Sequence, residues 1–254
     1  MPTVIHPTAI VEPGAQLGAD CVIHPYAIVK QWATLGDRVT VHPFAVVGGD
    51  PQDLKFRSTT RSFVRIGSDT RIREGVTVNR ATDEGGWTVV GANCLLMATA
   101  HIAHECVVGE DVVVANAVLL AGHVHIGDHA ILGGNAMIHQ FCRVGERAML
   151  GGGARVTMDF PPFCLATERD QLIGLNLIGL KRSGAEREAI RQLKEAFRAV
   201  YGTPGNLREN AIRLLAGNAF TAREPRIFLE FFSGGTRSVV RPRRAAARPD
   251  DAEA

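Results

Sequence analysis

The sequence predicts an all-β solenoid, a parallel β-helix of hexapeptide repeats, followed by a small α-helical domain. Three observations predict it. From Val90 to Val156 a branched aliphatic residue returns at every sixth position, through Leu96, Ile102, Val108, Val114, Leu120, Ile126, Leu132, Ile138, Val144 and Leu150. Four residues after each comes a small or apolar one, as at Cys94, Ala100, Cys106, Val112 and Ala148. His-Pro recurs at His6, His24 and His42, each 18 residues from the next. A strict period of six fits neither a helix nor a simple strand, and short hexapeptide repeats mark a β-helix. Three hexads close one triangular coil of 18 residues. The aliphatic residue points inward from each face, and the small one fills the narrow interior beside a corner. Successive coils stack ~4.8 Å apart, the inter-strand spacing.

Taken in order, the repeat begins at Ile5 and continues through Val11, Leu17, Ile23, Val29, Leu35, Val41 and Val47. The His-Pro pairs stack on one edge, where proline fixes φ as the chain turns. A flat histidine ladder closes no coordination sphere, so these read as repeated corners rather than metal ligands. Residues 48–63 break the register. The repeat resumes at Ile66, Ile72 and Val78, and residues 82–87 then replace one hexad. A solenoid accepts insertions at its corners, and such loops carry function. The pattern ends at Phe160-Pro161-Pro162, so the β-helix is expected over residues 1–162 with loops at 48–63 and 82–87.

Residues 163–240 read as helical. Ser183 to Glu186 has the form of a capping box. Ile190, Leu193, Phe197, Val200 and Tyr201 form one apolar face that stops at Gly202. Further helices are expected near Leu207 to Ala216 and Pro225 to Phe232. Such a cap covers the open end of the solenoid, whose edge strands otherwise invite aggregation. The tail 241–254 reads as disordered. On the outer faces Val22, Ile28, Val113, Leu119, Ile131 and Met137 leave an apolar stripe, which implies self-association about a threefold axis.

Composition excludes some classes. The 254 residues are 46% hydrophobic and 21% charged, with a net charge of +2, so no nucleic-acid partner is implied. No run of 18 apolar residues and no signal-peptide pattern occurs, so stable membrane insertion is not expected and the cytoplasm is the expected compartment. Cys21, Cys94, Cys106 and Cys142 occupy the small inward position and read as buried free thiols.

The 18-residue ruler also finds a candidate site. His104, Gly122 and Gln140 share one corner in three successive coils, with His101, His123 and His139 beside them. Four of nine histidines thus fall within about two coil spacings, roughly 10 Å. Histidine is the usual general base for a hydroxyl. Glu105 is placed to orient the ring, and Gly122 offers a backbone N–H unobstructed by a side chain, as an oxyanion hole needs. Three histidines can also hold zinc. The close pair here, His101 and His104, precedes the lone histidine. The γ-class carbonic anhydrases have the reverse order, so neither a metal nor another cofactor is assigned.

Particular stretches resemble the UDP-N-acetylglucosamine 3-O-acyltransferases of lipid A biosynthesis. They are PQDLKF (51–56), IREGVTVNRAT (72–82), LLMATAHIAHEC (95–106), LLAGHV (119–124), IHQFCRVG (138–145) and GLNLIGLKR (174–182). The resemblance implies a homotrimeric left-handed β-helix with sites between subunits. It implies transfer of an (R)-3-hydroxyacyl group from acyl carrier protein to the 3-hydroxyl of the sugar. On the matching positions, His104 is the implied base and Gly122 the oxyanion donor. Asp53, Lys55, His101, His123, His139 and Gln140 are implied to contact substrate, and Asn176 and Arg182 the nucleotide. Gly152, thirteen residues after His139, matches an acyl-chain ruler whose glycine admits a chain of about fourteen carbons, where a methionine favours about ten. Some of Arg182, Arg187, Arg191 and Arg198 are expected to help dock an acidic carrier. The chain departs from the family pattern at Glu105, commonly aspartate. It departs again in the shortened 167–171 segment, and at Ile178 and Ser183, where the family has an acidic residue and a second arginine. These departures keep a 3-amino or other sugar nucleotide open as acceptor.

Overall fold

Each hexad folds as one short strand and one turn. In a typical strand such as Val22–Ile23 or His101–Ile102, the first residue faces outward and the second inward. The computed structural model describes residues 2–242. In it the inward aliphatics and the small residues four positions on are buried from Cys21 and Ile23 to Ala154 and Val156. The strands form parallel sheets of ten, eight and seven strands, the three faces of a left-handed prism, the first closed by one antiparallel strand. Registers reproduce the 18-residue coil: His101 pairs with Leu119, Leu119 with Met137 and Met137 with Arg155. Across the second loop the spacing becomes 24, and Thr77 pairs with His101.

Corners turn through residues in the left-handed region. Glu105, His123 and Phe141 lie one above another with φ of 53°, 61° and 64°. That conformation costs roughly 1–2 kcal/mol for a residue with a Cβ. It is held by bonds between coils: the His123 N–H donates to the His104 carbonyl at 3.0 Å, and the Phe141 N–H to that of Gly122 at 3.1 Å.

Two insertions leave the prism beside this column. The first is residues 50–62, shorter than expected because Val46–Gly49 and Phe63–Ile66 lengthen into its ends. Buried Arg80 organises it. Its Nε donates to Asp50 at 2.9 Å, its other nitrogens reach the Ser58 and Thr60 carbonyls, and its guanidinium carbon lies 4.8 Å from the Phe56 ring. A buried guanidinium needs such a full set of partners, since losing one strands a charge. The second insertion, between Thr77–Asn79 and Trp87–Val90, meets the first where the Arg61 N–H donates to Glu84 at 2.9 Å.

Strands run past residue 162. Cys164–Ala166 continues the ten-stranded sheet, and Leu172–Leu175 folds back antiparallel on it. This hairpin covers the last edge before any long helix begins. Four helices follow among the described residues: α1 (Leu177–Arg182), α2 (Arg187–Gly202), α3 (Leu207–Ala216) and α4 (Arg223–Phe231). The short α1 was not expected. It takes Ser183 as its C-cap, with the Ser183 hydroxyl donating to the Leu180 carbonyl at 2.9 Å. The expected capping box therefore does not form, and the N-cap of α2 is Glu186, which makes no side-chain cap bond. Leu193, Ala196 and Val200 of α2 and Phe228 of α4 are fully buried in the cap's core. Arg143 joins cap to prism: its Nε donates to buried Asp159 at 2.8 Å, and its Nη2 to the Phe231 and Gly234 carbonyls, each at 2.9 Å. Of the tail expected at 241–254, residues 243–254 lie outside the described residues.

All five cysteines are free and buried, Cys164 included. The outer apolar positions differ in cover. Val22, Ile28 and Val113 are half-buried, whereas Leu119, Ile131 and Met137 are exposed, as are Met149 beside Ile131 and Val107 on the seven-stranded face.

Candidate active site

The stacked corner of His104 and Gly122 opens on a cavity of about 780 Å³ over the eight-stranded face. One end is lined by Gln52, Thr77, Asn79, His101 and His104, and the middle by Leu119, Ala121, Gly122, Met137 and His139. The far end is lined by Arg155, Thr157 and Arg169.

His104 Nδ1 is hydrogen-bonded to Glu105 Oε2. Burial pushes the Glu105 carboxyl up. The bonds from His104, the Thr82 hydroxyl and the Thr82 and Asp83 amides outweigh it, and the group is held below the ordinary glutamate value. The Thr82 hydroxyl donates at 2.8 Å and the Asp83 N–H at 3.2 Å. The second insertion thus grips the carboxylate. An ionised carboxylate only accepts, so Nδ1 of a neutral His104 carries the proton and Nε2 is left as an acceptor. The ring lies against Gly122. A Cβ at Gly122 would stand 2.6 Å from His104 Nε2 and closer still to Cε1. Glycine is therefore required here for space, and not for φ. The Gly122 N–H makes no hydrogen bond among the described residues.

His123 sits behind the dyad and not on the cavity wall. Its Nε2 is 3.8 Å from Glu105 Oε2, its ring meets His104 edge-on at 5.3 Å, and it stacks on Phe141 at 4.5 Å. The ligand-type atoms of His104, Glu105 and His123 fall within 4.8 Å of one another. A cation there would occupy the place of the proton shared by His104 and Glu105. His101 is fixed by a bond between its Nδ1 and the Thr77 hydroxyl at 2.7 Å. Burial, helped by nearby His104, pushes its pKa below the ordinary histidine value.

Of the other expected residues, His139 lines the cavity, whereas Gln140, Asp53, Lys55, Asn176, Arg182 and Gly152 are not on its wall in a single chain. Asp53 accepts from the Lys55 N–H at 2.7 Å, which shapes the exposed loop, and Gln52 beside it faces the cavity. Asn176 is the N-cap of α1 and accepts from the Gly179 N–H at 3.0 Å. Arg182 is exposed in the last turn of α1. Arg191, expected to face a carrier, is instead paired with Glu188 and Glu195 on its own helix. Sequence reasoning missed Thr77, because the second insertion defeats the 18-residue ruler. It also missed Arg155, which that ruler reaches from Met137.

A family model for bacterial transferase hexapeptide repeats matches residues 14–49, 88–122 and 123–157. A second, described as UDP-N-acetylglucosamine O-acyltransferase, domain 2, matches 159–240. An acyl-[acyl-carrier-protein]–UDP-N-acetylglucosamine O-acyltransferase from Anaeromyxobacter sp. strain Fw109-5 is 42% identical over 257 aligned residues, spanning 93% of this chain and 99% of that relative. Among solved structures, UDP-N-acetylglucosamine acyltransferase from Campylobacter jejuni is similar with a TM-score of 0.83 and 36% identity, over 94% of this chain and all of that one. The same enzyme from Bacteroides fragilis gives 0.79 and 33%, over 94% and 98%.

Proposed function

The chain belongs to the acyl-carrier-protein-dependent UDP-N-acetylglucosamine O-acyltransferases, which begin lipid A biosynthesis, and from that membership we propose how its own residues carry the transfer. The observation that carries the proposal is the His104–Glu105 pair lying on Gly122 at the mouth of the cavity. His104 Nε2 removes the proton from the sugar 3-hydroxyl, and the oxygen attacks the thioester carbonyl of the (R)-3-hydroxyacyl donor. Glu105 holds the tautomer and balances the imidazolium charge. The free Gly122 N–H donates to the tetrahedral oxyanion. The C–S bond then breaks with its electron pair leaving on sulfur, and the His104 proton passes to the thiolate. The products are the 3-O-acyl sugar nucleotide and the carrier thiol.

His101, its pKa lowered by burial and nearby His104 and its ring fixed by Thr77, and His139, Gln52 and Asn79 offer hydrogen bonds to the sugar or the acyl hydroxyl. Asp53, Lys55, Gln140, Asn176, Arg182 and Gly152 serve a site completed by a neighbouring copy. The exposed columns Leu119–Met137 and Ile131–Met149 lie on two adjacent faces, which favours three copies about an axis. Arg182, Arg187 and Arg198 draw in the acidic carrier. No helix among the described residues is long and apolar enough to cross a membrane. The reading places the enzyme in the cytoplasm with its carrier-bound donor.

The test is product analysis with an (R)-3-hydroxyacyl carrier donor and, in competition, UDP-N-acetylglucosamine and its 3-amino analogue. The 3-O-acyl product is expected to dominate. Exclusive acylation of the amine would move the acceptor to the amino sugar, in keeping with the departures at Ile178 and Ser183. His104→Ala should lower kcat by ~100-fold or more, as loss of a general base does. A folded His104→Ala protein with wild-type turnover would remove His104 from the mechanism.

A further inference from the structure

Arg155 and Arg169 line the far end of the cavity together, and neither makes an ion pair among the described residues. Nearby carboxylates are engaged elsewhere. Asp170 accepts from the Thr157 N–H at 2.7 Å and from its hydroxyl at 2.5 Å. Glu168 accepts from Gln171 at 3.0 Å. The pairing is built, since the Asp170 N–H also donates to the Arg155 carbonyl at 2.8 Å, which pins the 167–171 segment onto the Arg155 strand. Two guanidiniums on one wall, unneutralised, fit a ligand that brings negative charge, and the arginine fork suits phosphate oxygens.

We propose that Arg155 and Arg169 form a subsite for the phosphate of the donor's 4′-phosphopantetheine arm. This rests on the acyl-transfer reading above. Distance selects the phosphate. Arg155 lies three rungs from His101 through Leu119 and Met137, which at ~4.8 Å per rung is about 14 Å. About thirteen bonds separate the thioester sulfur from the arm's phosphorus. That equals some four extended residues, or about 15 Å. The acceptor's first phosphate is only about five bonds, roughly 6 Å, from the 3-hydroxyl and falls short. With the thioester at His104, the arm crosses Leu119 and Met137 and its phosphate reaches the arginines. A hydrocarbon chain of similar length gains nothing from ending between two charges.

The experiment compares 3-hydroxyacyl donors on carrier protein, on free 4′-phosphopantetheine and on pantetheine lacking the phosphate. Wild type, Arg155→Ala/Arg169→Ala and Arg155→Lys/Arg169→Lys are assayed as full chains. Both arginines are exposed, and unchanged melting and oligomeric state verify that the variants fold. Wild type should show a kcat/KM at least tenfold higher for the phosphorylated small donor than for pantetheine. The alanine pair should lose that preference with KM for the sugar nucleotide within twofold of wild type, and the lysine pair should restore part of it. A preference retained by the alanine pair overturns the subsite, and so does a rise confined to the KM of the sugar nucleotide. A changed acyl-length preference with phosphate preference intact overturns it too, by making the arginines the end of an acyl groove. Wild type inactive with every donor would instead sink the acyl-transfer reading itself.

Discussion

Replacing Gly122 with alanine should disable the enzyme without unfolding it. The backbone there is not in the left-handed region, so alanine adds no conformational strain. The new methyl would stand 2.6 Å from His104 Nε2 and closer to Cε1, while ordinary van der Waals contact begins at 3.4 Å. The imidazole must therefore withdraw by about 0.8 Å at Nε2 and by more at Cε1. It can do so, being the end of a side chain, but it then loses its alignment with both Glu105 and the sugar hydroxyl. A misplacement of ~1 Å at a reacting group costs roughly 100-fold. That factor corresponds to about 2.7 kcal/mol of transition-state stabilisation at 1.36 kcal/mol per tenfold. The assay is the steady-state kcat/KM for transfer to the sugar nucleotide, with melting temperature and oligomeric state as fold controls. Gly152→Ala is the matched control for fold, since a Cβ there meets the Gly134 carbonyl at 3.5 Å, an ordinary contact. A folded Gly122→Ala enzyme within threefold of wild type would refute the argument that glycine is present to seat the ring.

Gly152 needs neither a positive φ nor extra space, so Gly152→Met should fold and should shift donor preference from about fourteen carbons toward about ten, as each buried methylene is worth ~0.8 kcal/mol. Competition between the two acyl carriers measures this, and an unchanged ratio removes Gly152 as the ruler. Stability should fall as pH drops. The His101 pKa is lower folded than unfolded, so the unfolded state binds the extra proton as pH descends below about 6.5, at up to ~1.4 kcal/mol per pH unit. Glu105, also depressed on folding, adds a second loss below its unfolded value near 4.5. Urea titrations from pH 7.5 to 5 should show the first window shrink in His101→Gln, and an unchanged slope would discount His101. Burial pushes Cys94 up to about 11 and Cys106 and Cys142 up to about 12, so a thiol reagent at pH 8 should label no cysteine in the native chain and five after unfolding. Rapid native labelling at any of the three would contradict their burial.

Strict repetition made most of this protein legible in its sequence. A hexad residue meets the same neighbours one coil above and one below. Counting by 18 therefore located the His104–Gly122 column, its histidine neighbours and the inward cysteines without coordinates. The ruler failed wherever chain enters or leaves the repeat. It could not cross the second insertion to place Thr77 on His101, nor show that Glu105 is gripped by Thr82 and Asp83, because an inserted loop has no period. It ended at residue 162, while the sheet continued to Leu175 through one parallel strand at irregular spacing and one antiparallel strand folded back on it. Local pattern also misread Ser183, whose backbone closes the short α1 as its C-cap, so that α2 takes Glu186 as its N-cap instead. Which groups point into one cavity was a tertiary matter: Asp170 bonds to Thr157 and Arg155, and that contact helps hold Arg169 at the end of the groove that begins at His104. Sequence periodicity determined the prism and its His104–Gly122 column, because each hexad position stacks on the one 18 residues away. The tertiary structure alone decided the walls of the site, because those are built by non-repeating segments whose positions depend on single long-range hydrogen bonds.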